Sequence, residues 1–212
     1  MQYYKNQVLF LFTTLLLLLT SFTYAQHHKM VMDMGAKKID VKQNIYLAMM
    51  DTMMYNMDTV KLKQYADLDF MRMMIPHHQG AIEMSLYEIQ HGRNFEMKQL
   101  AKSIIAEQTN EIAQMGIWVN HNIRNAQAGN DSYQKPLMLT MPVMMEHMPS
   151  ADLLTDTDKS FAAVMIPHHQ AGVDMAKVIL QYGQDKIVFR MAQNIISSQQ
   201  VEIEQMKSFL KK

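Results

Sequence analysis

The strongest constraint on the fold of this chain is an internal duplication. When residues 50–121 are aligned without a gap on residues 141–212, a shift of 91 positions, 24 of the 72 aligned residues are identical. Roughly 4 or 5 identities would be expected by chance. The hexapeptide Met-Ile-Pro-His-His-Gln occurs at residues 74–79 and again at residues 165–170. We therefore expect two similarly folded repeats, and the positions kept in both are the best candidates for a common role.

The sequence divides into five predicted segments. Residues 1–25 have the form of a secretory signal peptide, with Lys5, an apolar run from Val8 to Leu19 and a cleavage site after Ala25. Residues 26–40 form a flexible His/Met-rich lead-in, residues 41–124 the first helical repeat, residues 125–137 a linker and residues 138–212 the second repeat. We expect both repeats to form one bundle.

The signal peptide predicts a periplasmic or secreted protein. No later stretch reaches the ~20 apolar residues of a membrane span, so none is expected after cleavage. An uncleaved anchor is the alternative. The chain has no Cys, so disulfides cannot stabilise it.

Charge and motifs argue against several functions. Lys plus Arg (20) balances Asp plus Glu (20), so nucleic acid is not an expected partner. The chain has no Cys nucleophile, no Gly-x-Ser-x-Gly motif and no Gly-rich phosphate loop, and we do not expect an enzyme.

Apolar residues recur at helical spacing in both repeats, which predicts an all-α protein. The first repeat should contain helices at about residues 41–65, 68–91 and 94–124. Gly92 and Gly183 are expected to end helices in the left-handed conformation, and Pro76 and Pro167 to kink or begin one. The predicted fold is a ferritin-like four-helix bundle made of two tandem repeats with additional short Met-rich helices.

The chain contains 24 Met and 9 His residues, most of them in the two repeats. Thioether sulfur and imidazole nitrogen favour Cu(I), accept Ag(I) and tolerate Cu(II). Helical spacing places several of these side chains on common faces. The predicted metal ligands on the second helix of each repeat are Met74, His77, His78, Met84, Met165, His168, His169 and Met175. Those on the short helices are Met50, Met53, Met54, Met57, Met141, Met144, Met145 and Met148.

Other residues are expected to support or extend these sites. Folding the second helix back on the third places His77 level with Glu107 or Gln108, and Met74 level with Glu111. We expect an imidazole N–H to be held by Gln108, Glu111 or their equivalents Gln199 and Glu202. His147 is a weaker candidate ligand. Cleavage after Ala25 would create a further copper site from the new amino terminus and the residues His28, Met30, Met32 and Met34.

The hexapeptide, the downstream Met84 and Met175 and the secretory leader resemble the bacterial domain-of-unknown-function family 305, whose CopM-type members bind copper. The resemblance extends over residues 41–212. It implies a ferritin-like helical bundle and an extracytoplasmic role in copper binding or resistance, with the motif His residues and nearby Met residues as ligands. The sequence departs from exact repetition at Gly80-Ala81, which becomes Ala171-Gly172.

We therefore expect a non-enzymatic protein that sequesters or carries copper, chiefly Cu(I), and that exchanges it with copper-transport or efflux proteins. One alternative is a metal-dependent oxidoreductase, either a cuprous oxidase or a di-iron enzyme. The di-iron alternative depends on the Glu-x-x-His spacing of Glu88 and His91. The other is a structural interaction domain whose Met residues only fill its core.

Overall fold

The computed structural model describes residues 44–123 and 131–212. The predicted signal peptide, the lead-in and its proposed ligands His28, Met30, Met32 and Met34 lie outside the described residues. The part of the chain that is described contains six α-helices and one short 3-10 helix, with no strand. The predicted all-α class is confirmed.

Each repeat consists of one short helix followed by two long helices. The elements are α1 (Ile45–Asp58), α2 (Ala66–His91), α3 (Phe95–Asn122), α4 (Gln134–Glu146), the 3-10 turn Ala151–Leu153, α5 (Thr157–Tyr182) and α6 (Lys186–Leu210). Side chains that accept backbone N–H groups define several starts, as expected of capping residues: Asn44 for α1, Asn94 for α3, Asp156 for α5 and Asp185 for α6.

The helices pack in pairs. Helix α2 lies against α3, α5 lies against α6, and the two pairs meet where α2 contacts α5. The short helices cover this arrangement, α1 on α2 and α4 on α5. Met side chains form much of the buried core. No helix in residues 44–123 or 131–212 combines the length and apolarity needed to cross a membrane.

Helix α1 is shorter than expected, because it ends at Asp58 and not near residue 65. A buried carboxylate organises the connection to α2: Asp69 accepts the backbone N–H groups of Lys63 at 2.7 Å and Gln64 at 3.0 Å. Gln64 itself has a φ of 58°. The hydroxyl of Tyr133 also donates to Asp69. These bonds satisfy N–H groups that a longer helix would otherwise have satisfied.

The left-handed conformation expected of the two turn glycines is wrong. Gly92 has φ −66° and ψ 156°, and Gly183 has φ −70° and ψ 156°, which are extended conformations. Gly92 is needed for a different reason, since a Cβ there would collide with the carboxyl group of Glu88.

Pro76 and Pro167 lie inside α2 and α5 and begin neither helix. Helix α4 begins at Gln134, within the predicted linker.

Two aspartates form hydrogen bonds between the two helical pairs. Asp158 at the start of α5 accepts the backbone N–H of Asn94 at 2.7 Å and that of Arg93 at 2.9 Å, in the turn between α2 and α3. Asp67 at the start of α2 accepts the N–H of Gln184 at 3.0 Å, in the turn between α5 and α6. The two aspartates are 91 positions apart, so equivalent residues make equivalent contacts with opposite pairs.

Candidate metal centre

The four His residues of the duplicated hexapeptide lie inside the protein. His77 and His78 on α2, and His168 and His169 on α5, are all 0% exposed. Each pair stands at the contact between α2 and α5 because both helices carry their hexapeptide on the face that meets the other. The structure therefore brings these four predicted site residues into one cluster, which we call the histidine centre.

The inner two imidazoles touch across the repeats. The rings of His77 and His168 stack with centroids 3.9 Å apart and planes inclined by 30°. The other two rings, those of His78 and His169, are the outer rings. Each lies farther from its inner neighbour, with centroids 6.2 Å apart for His77 and His78 and 5.8 Å apart for His168 and His169. The histidine centre is thus one arrangement built from both repeats.

Each outer imidazole is held by a carboxylate from the neighbouring helix. His78 Nε2 lies 2.7 Å from Glu111 Oε2 on α3, and His169 Nε2 lies 2.9 Å from Glu202 Oε2 on α6. Nδ1 of each of these two rings has no hydrogen-bond partner, so one ring nitrogen is occupied by the carboxylate and the other is left for a ligand. This carboxylate–imidazole arrangement is the one that orients metal-binding His residues in proteins.

The inner imidazoles are kept neutral. Burial lowers the pKa of His77 well below its usual range, and the neighbouring His78 and His169 lower it further. Burial likewise lowers the pKa of His168, and the proximity of His77 lowers it further. Neutral imidazole is the form that binds a metal ion, so no proton has to be displaced from these rings near neutral pH.

The histidine centre and two buried glutamines contain many buried polar atoms without hydrogen-bond partners. They are both ring nitrogens of His77 and His168, Nδ1 of His78 and His169, and the side-chain amides of Gln108 and Gln199. A buried polar atom without a partner costs about 1–3 kcal/mol. The donor set consists of imidazole nitrogens, with the amide of Gln199 beside the ring of His77, and this chemistry fits a transition-metal ion.

Thioethers surround this centre on the same helices. Met74 and Met84 on α2 and Met165 and Met175 on α5 are all 0% exposed. On the short helices, the buried residues are Met50, Met53, Met57, Met141 and Met144, while Met54 and Met148 are partly buried. Met145 is exposed. The soft donors are therefore concentrated in the protein interior.

The two repeats differ beside the inner rings. A Cβ on Gly172 would lie 2.5 Å from Gln199 Oε1 and 3.3 Å from His77 Cε1, so the amide of Gln199 and the ring of His77 share the space that this glycine leaves. A Cβ on Gly80 would instead lie 2.8 Å from the side chain of Met53. The glycine of α5 therefore leaves room for the amide of Gln199, whereas the glycine of α2 leaves room for the thioether side chain of Met53.

Other candidate ligands lie apart from the histidine centre. His147 is exposed, and its Nδ1 donates to the carbonyl of Val143 at 2.7 Å. His91 is exposed with its ring 4.1 Å from that of Tyr87, whereas Glu88 is buried. The Glu-x-x-His pair therefore does not converge. Within the described ranges, no group of three or more His, Cys, Asp or Glu side chains is arranged to hold a metal ion.

A buried carboxyl pair that the sequence did not predict lies near the turn after α2. Tyr46 donates to Glu88 Oε2 at 2.9 Å. Burial, together with a smaller contribution from the adjoining Asp158, raises the pKa of Glu88 to about 8, although the bond from Tyr46 opposes the change. The protonated Glu88 is therefore able to donate to Asp158, whose pKa is lowered by that bond and by backbone N–H groups in spite of its burial. Ile179 replaces Glu88 in the second repeat, so the duplication gave no signal for this pair.

The fold and the histidine centre define an all-helical protein with a buried cluster of His residues among Met residues. The profile of the DUF305 family (Domain of unknown function) matches residues 23–119 and again residues 67–210. The chain belongs to the DUF305 family. No curated protein matches it.

Solved structures of related proteins include several metal-bound forms. CopM in the Cu(I)-bound form is 30% identical, with a TM-score of 0.54, and the match covers 70% of this chain and 97% of that one. CopM in the Cu(II)-bound form is 31% identical, with a TM-score of 0.55 and coverage of 68% and 95%. A DUF305 protein from Streptomyces coelicolor is 27% identical, with a TM-score of 0.56 and coverage of 71% and 94%.

Proposed function

We propose that this protein binds copper, chiefly as Cu(I), outside the cytoplasm and sequesters or carries it. The observation that supports the proposal most directly is the cluster of four buried imidazoles, six of whose ring nitrogens have no hydrogen-bond partner. Neutral nitrogen donors with thioethers in the same core suit a soft monovalent ion. The similarity to the copper-bound CopM structures supports the same assignment.

The proposed ligands are the four His residues of the histidine centre, completed by buried Met residues of α2 and α5. Glu111 and Glu202 would hold the outer rings so that Nδ1 faces the ion. Because His77 and His168 stack on each other, one centre shared by the repeats is favoured over two separate sites.

The finer architecture is part of the proposal. Two tandem repeats, residues 41–124 and 138–212, would form one ferritin-like four-helix bundle of α2, α3, α5 and α6, with α1 and α4 as added Met-bearing helices. The signal peptide of residues 1–25 would direct the chain to the periplasm or the exterior. Copper-transport or efflux proteins would be its partners there. Ag(I) and Cu(II) are further ions that the donor set would accept.

Anaerobic titration with Cu(I) against a competing chelator tests the proposal. The variant pair His77→Ala/His168→Ala should lose tight binding. The matched control His91→Ala/His121→Ala also removes two imidazoles, but both are exposed and outside the histidine centre. Circular dichroism verifies that both variants stay helical. Equal binding by the two variants would refute the assignment to the histidine centre.

The same samples separate the two alternative functions. Oxygen uptake during turnover of Cu(I) would indicate a cuprous oxidase. If copper leaves the thermal stability of the wild-type protein unchanged, the structural role is favoured, because a ligand that binds only the folded state raises stability.

A further inference from the structure

A solvent-facing groove lies between α3 and α6. Its volume is about 350 Å³. Its walls include Glu107, Asn110 and Glu111 from α3 and Met191, Asn194 and Ser198 from α6. None of its lining residues is Lys, Arg or His. The groove runs between helices of different repeats, whereas the α2–α5 contact behind them contains the histidine centre.

A single side chain, that of Glu111, lies between the groove and the histidine centre. Glu111 is a wall residue of the groove, and the same carboxylate lies 2.7 Å from His78 Nε2. The side chain of Glu111 is 12% exposed, whereas that of His78 is 0% exposed. An ion in the groove is therefore separated from a buried imidazole by a single carboxylate.

The groove concentrates negative charge. Burial raises the pKa of Glu107 above its usual range, and the nearby carboxylates of Glu202 and Glu111 raise it further, while Ser198 opposes this effect. Three carboxyl groups from two helices thus lie close together beside a cavity without cationic residues. Such a cleft raises the local concentration of cations and their rate of association.

The lining of the groove is suited to weak contacts with a cation and not to chelation. No three His or carboxylate side chains in the described residues are arranged as a chelating site. Met191 supplies one thioether in the wall, and it is only 7% exposed. Weak, successive contacts of this kind suit a path along which an ion moves inward to stronger donors.

We infer that the α3–α6 groove is the route by which a monovalent soft cation passes between solvent and the histidine centre, with Glu107 and Glu111 as the residues that draw it in. The inference rests on the proposed copper-binding function. On this route the ion passes the Glu111 side chain, which is the part of the wall that contacts His78.

Stopped-flow measurement of Ag(I) and Cu(I) uptake and release tests the route. Asn194→Trp would fill the groove without removing a charge, and the matched control Gln193→Trp places the same side chain on the neighbouring exposed position, outside the groove lining. We expect Asn194→Trp to slow uptake and release by about tenfold each and to leave the equilibrium affinity unchanged. Equal rates in the two variants would overturn the route.

A charge variant gives an independent reading of the same route. Glu107→Gln should slow uptake about threefold at low ionic strength and weaken its dependence on salt, whereas the exposed control Glu146→Gln should behave like the wild type. Identical salt dependence in both variants would contradict the role of Glu107. Tight binding with unchanged rates overturns only the route, and absence of binding by the wild type overturns the proposed function together with it.

Discussion

A carboxylate oxygen of Asp158 accepts the backbone N–H of Asn94 at 2.7 Å, although 64 positions separate the two residues in the chain. Asp67 makes the reciprocal contact with Gln184 at 3.0 Å. Each repeat thus supplies the acceptor for the interhelical turn of the other, where backbone N–H groups would otherwise lie without partners.

Replacement of either aspartate by Ala should destabilise the fold. Hydrogen bonds to a charged group contribute about 1.5–3 kcal/mol, and each variant leaves backbone donors without their acceptor. We therefore expect a loss of about 2 kcal/mol in the free energy of unfolding for Asp67→Ala or Asp158→Ala, measured by urea denaturation. The exposed Asp152→Ala is the control and should change stability by less than about 0.5 kcal/mol. Losses no greater than that of the control would contradict this role.

The buried Glu88 should make stability depend on pH. Its folded-state pKa is raised to about 8 from an ordinary value of 4.5. Between these values the unfolded chain has released the proton while the folded protein keeps it, so stability falls as pH rises and levels off above about 8. Glu88→Gln, which is neutral throughout, should flatten this slope in urea denaturation followed across that range. The exposed Glu204→Gln should leave the slope in place, and parallel profiles for all three proteins would refute the assignment.

The glycine at position 172 should resist a methyl group. A Cβ there would lie 2.5 Å from Gln199 Oε1 inside the core, so we expect Gly172→Ala to lower the free energy of unfolding by about 1–3 kcal/mol. Gln199→Ala in the same chain should relieve part of this loss. Gly116 on α3 is the matched control because nothing lies within 4 Å of its added Cβ. Gly116→Ala should stabilise the helix by about 0.5–1 kcal/mol. Stabilisation by both alanines would show that Gln199 moves freely.

Copper should raise the stability of the folded protein. A ligand at 100 times its dissociation constant adds about 2.7 kcal/mol when it binds only the native state. Calorimetric melting under anaerobic conditions should therefore shift upward with Cu(I). The shift should vanish in His77→Ala/His168→Ala and persist in His91→Ala/His121→Ala. A shift of equal size in the two variants would move the ion away from the histidine centre.

The duplication predicted more of the fold and the candidate site than any single motif. Helical spacing gave the all-α class and the bounds of α2 and α3 to within about three residues. The residues kept in both repeats included the four His residues that the structure brings together. The register of α2 on α3 differs from the prediction, because His78 and not Met74 lies beside Glu111. Register depends on the geometry of a short turn and on side-chain length, which spacing alone does not contain.

The features that sequence reasoning missed are those present in one repeat only or those created by packing. Glu88 and Tyr46 have apolar equivalents, Ile179 and Leu137, so comparison of the repeats could not identify their bond. Asp67 and Asp158 carried a usable signal, since both lie in the first turn of a long helix and both are kept at the shift of 91. The groove at Glu107 depends on how far α3 and α6 separate, which no local pattern specifies.

The stacking of His77 on His168 has an evolutionary consequence. A residue that contacts its own counterpart marks a twofold relationship, as in the self-complementary interface of a symmetric dimer. An ancestor with a single repeat would have had to associate with a second copy of itself to stack the same two rings. Once two copies are joined in one chain, each can change independently of the other. The Gly-Ala order and the residue at position 88 differ between the repeats in this way, while all four His residues are kept.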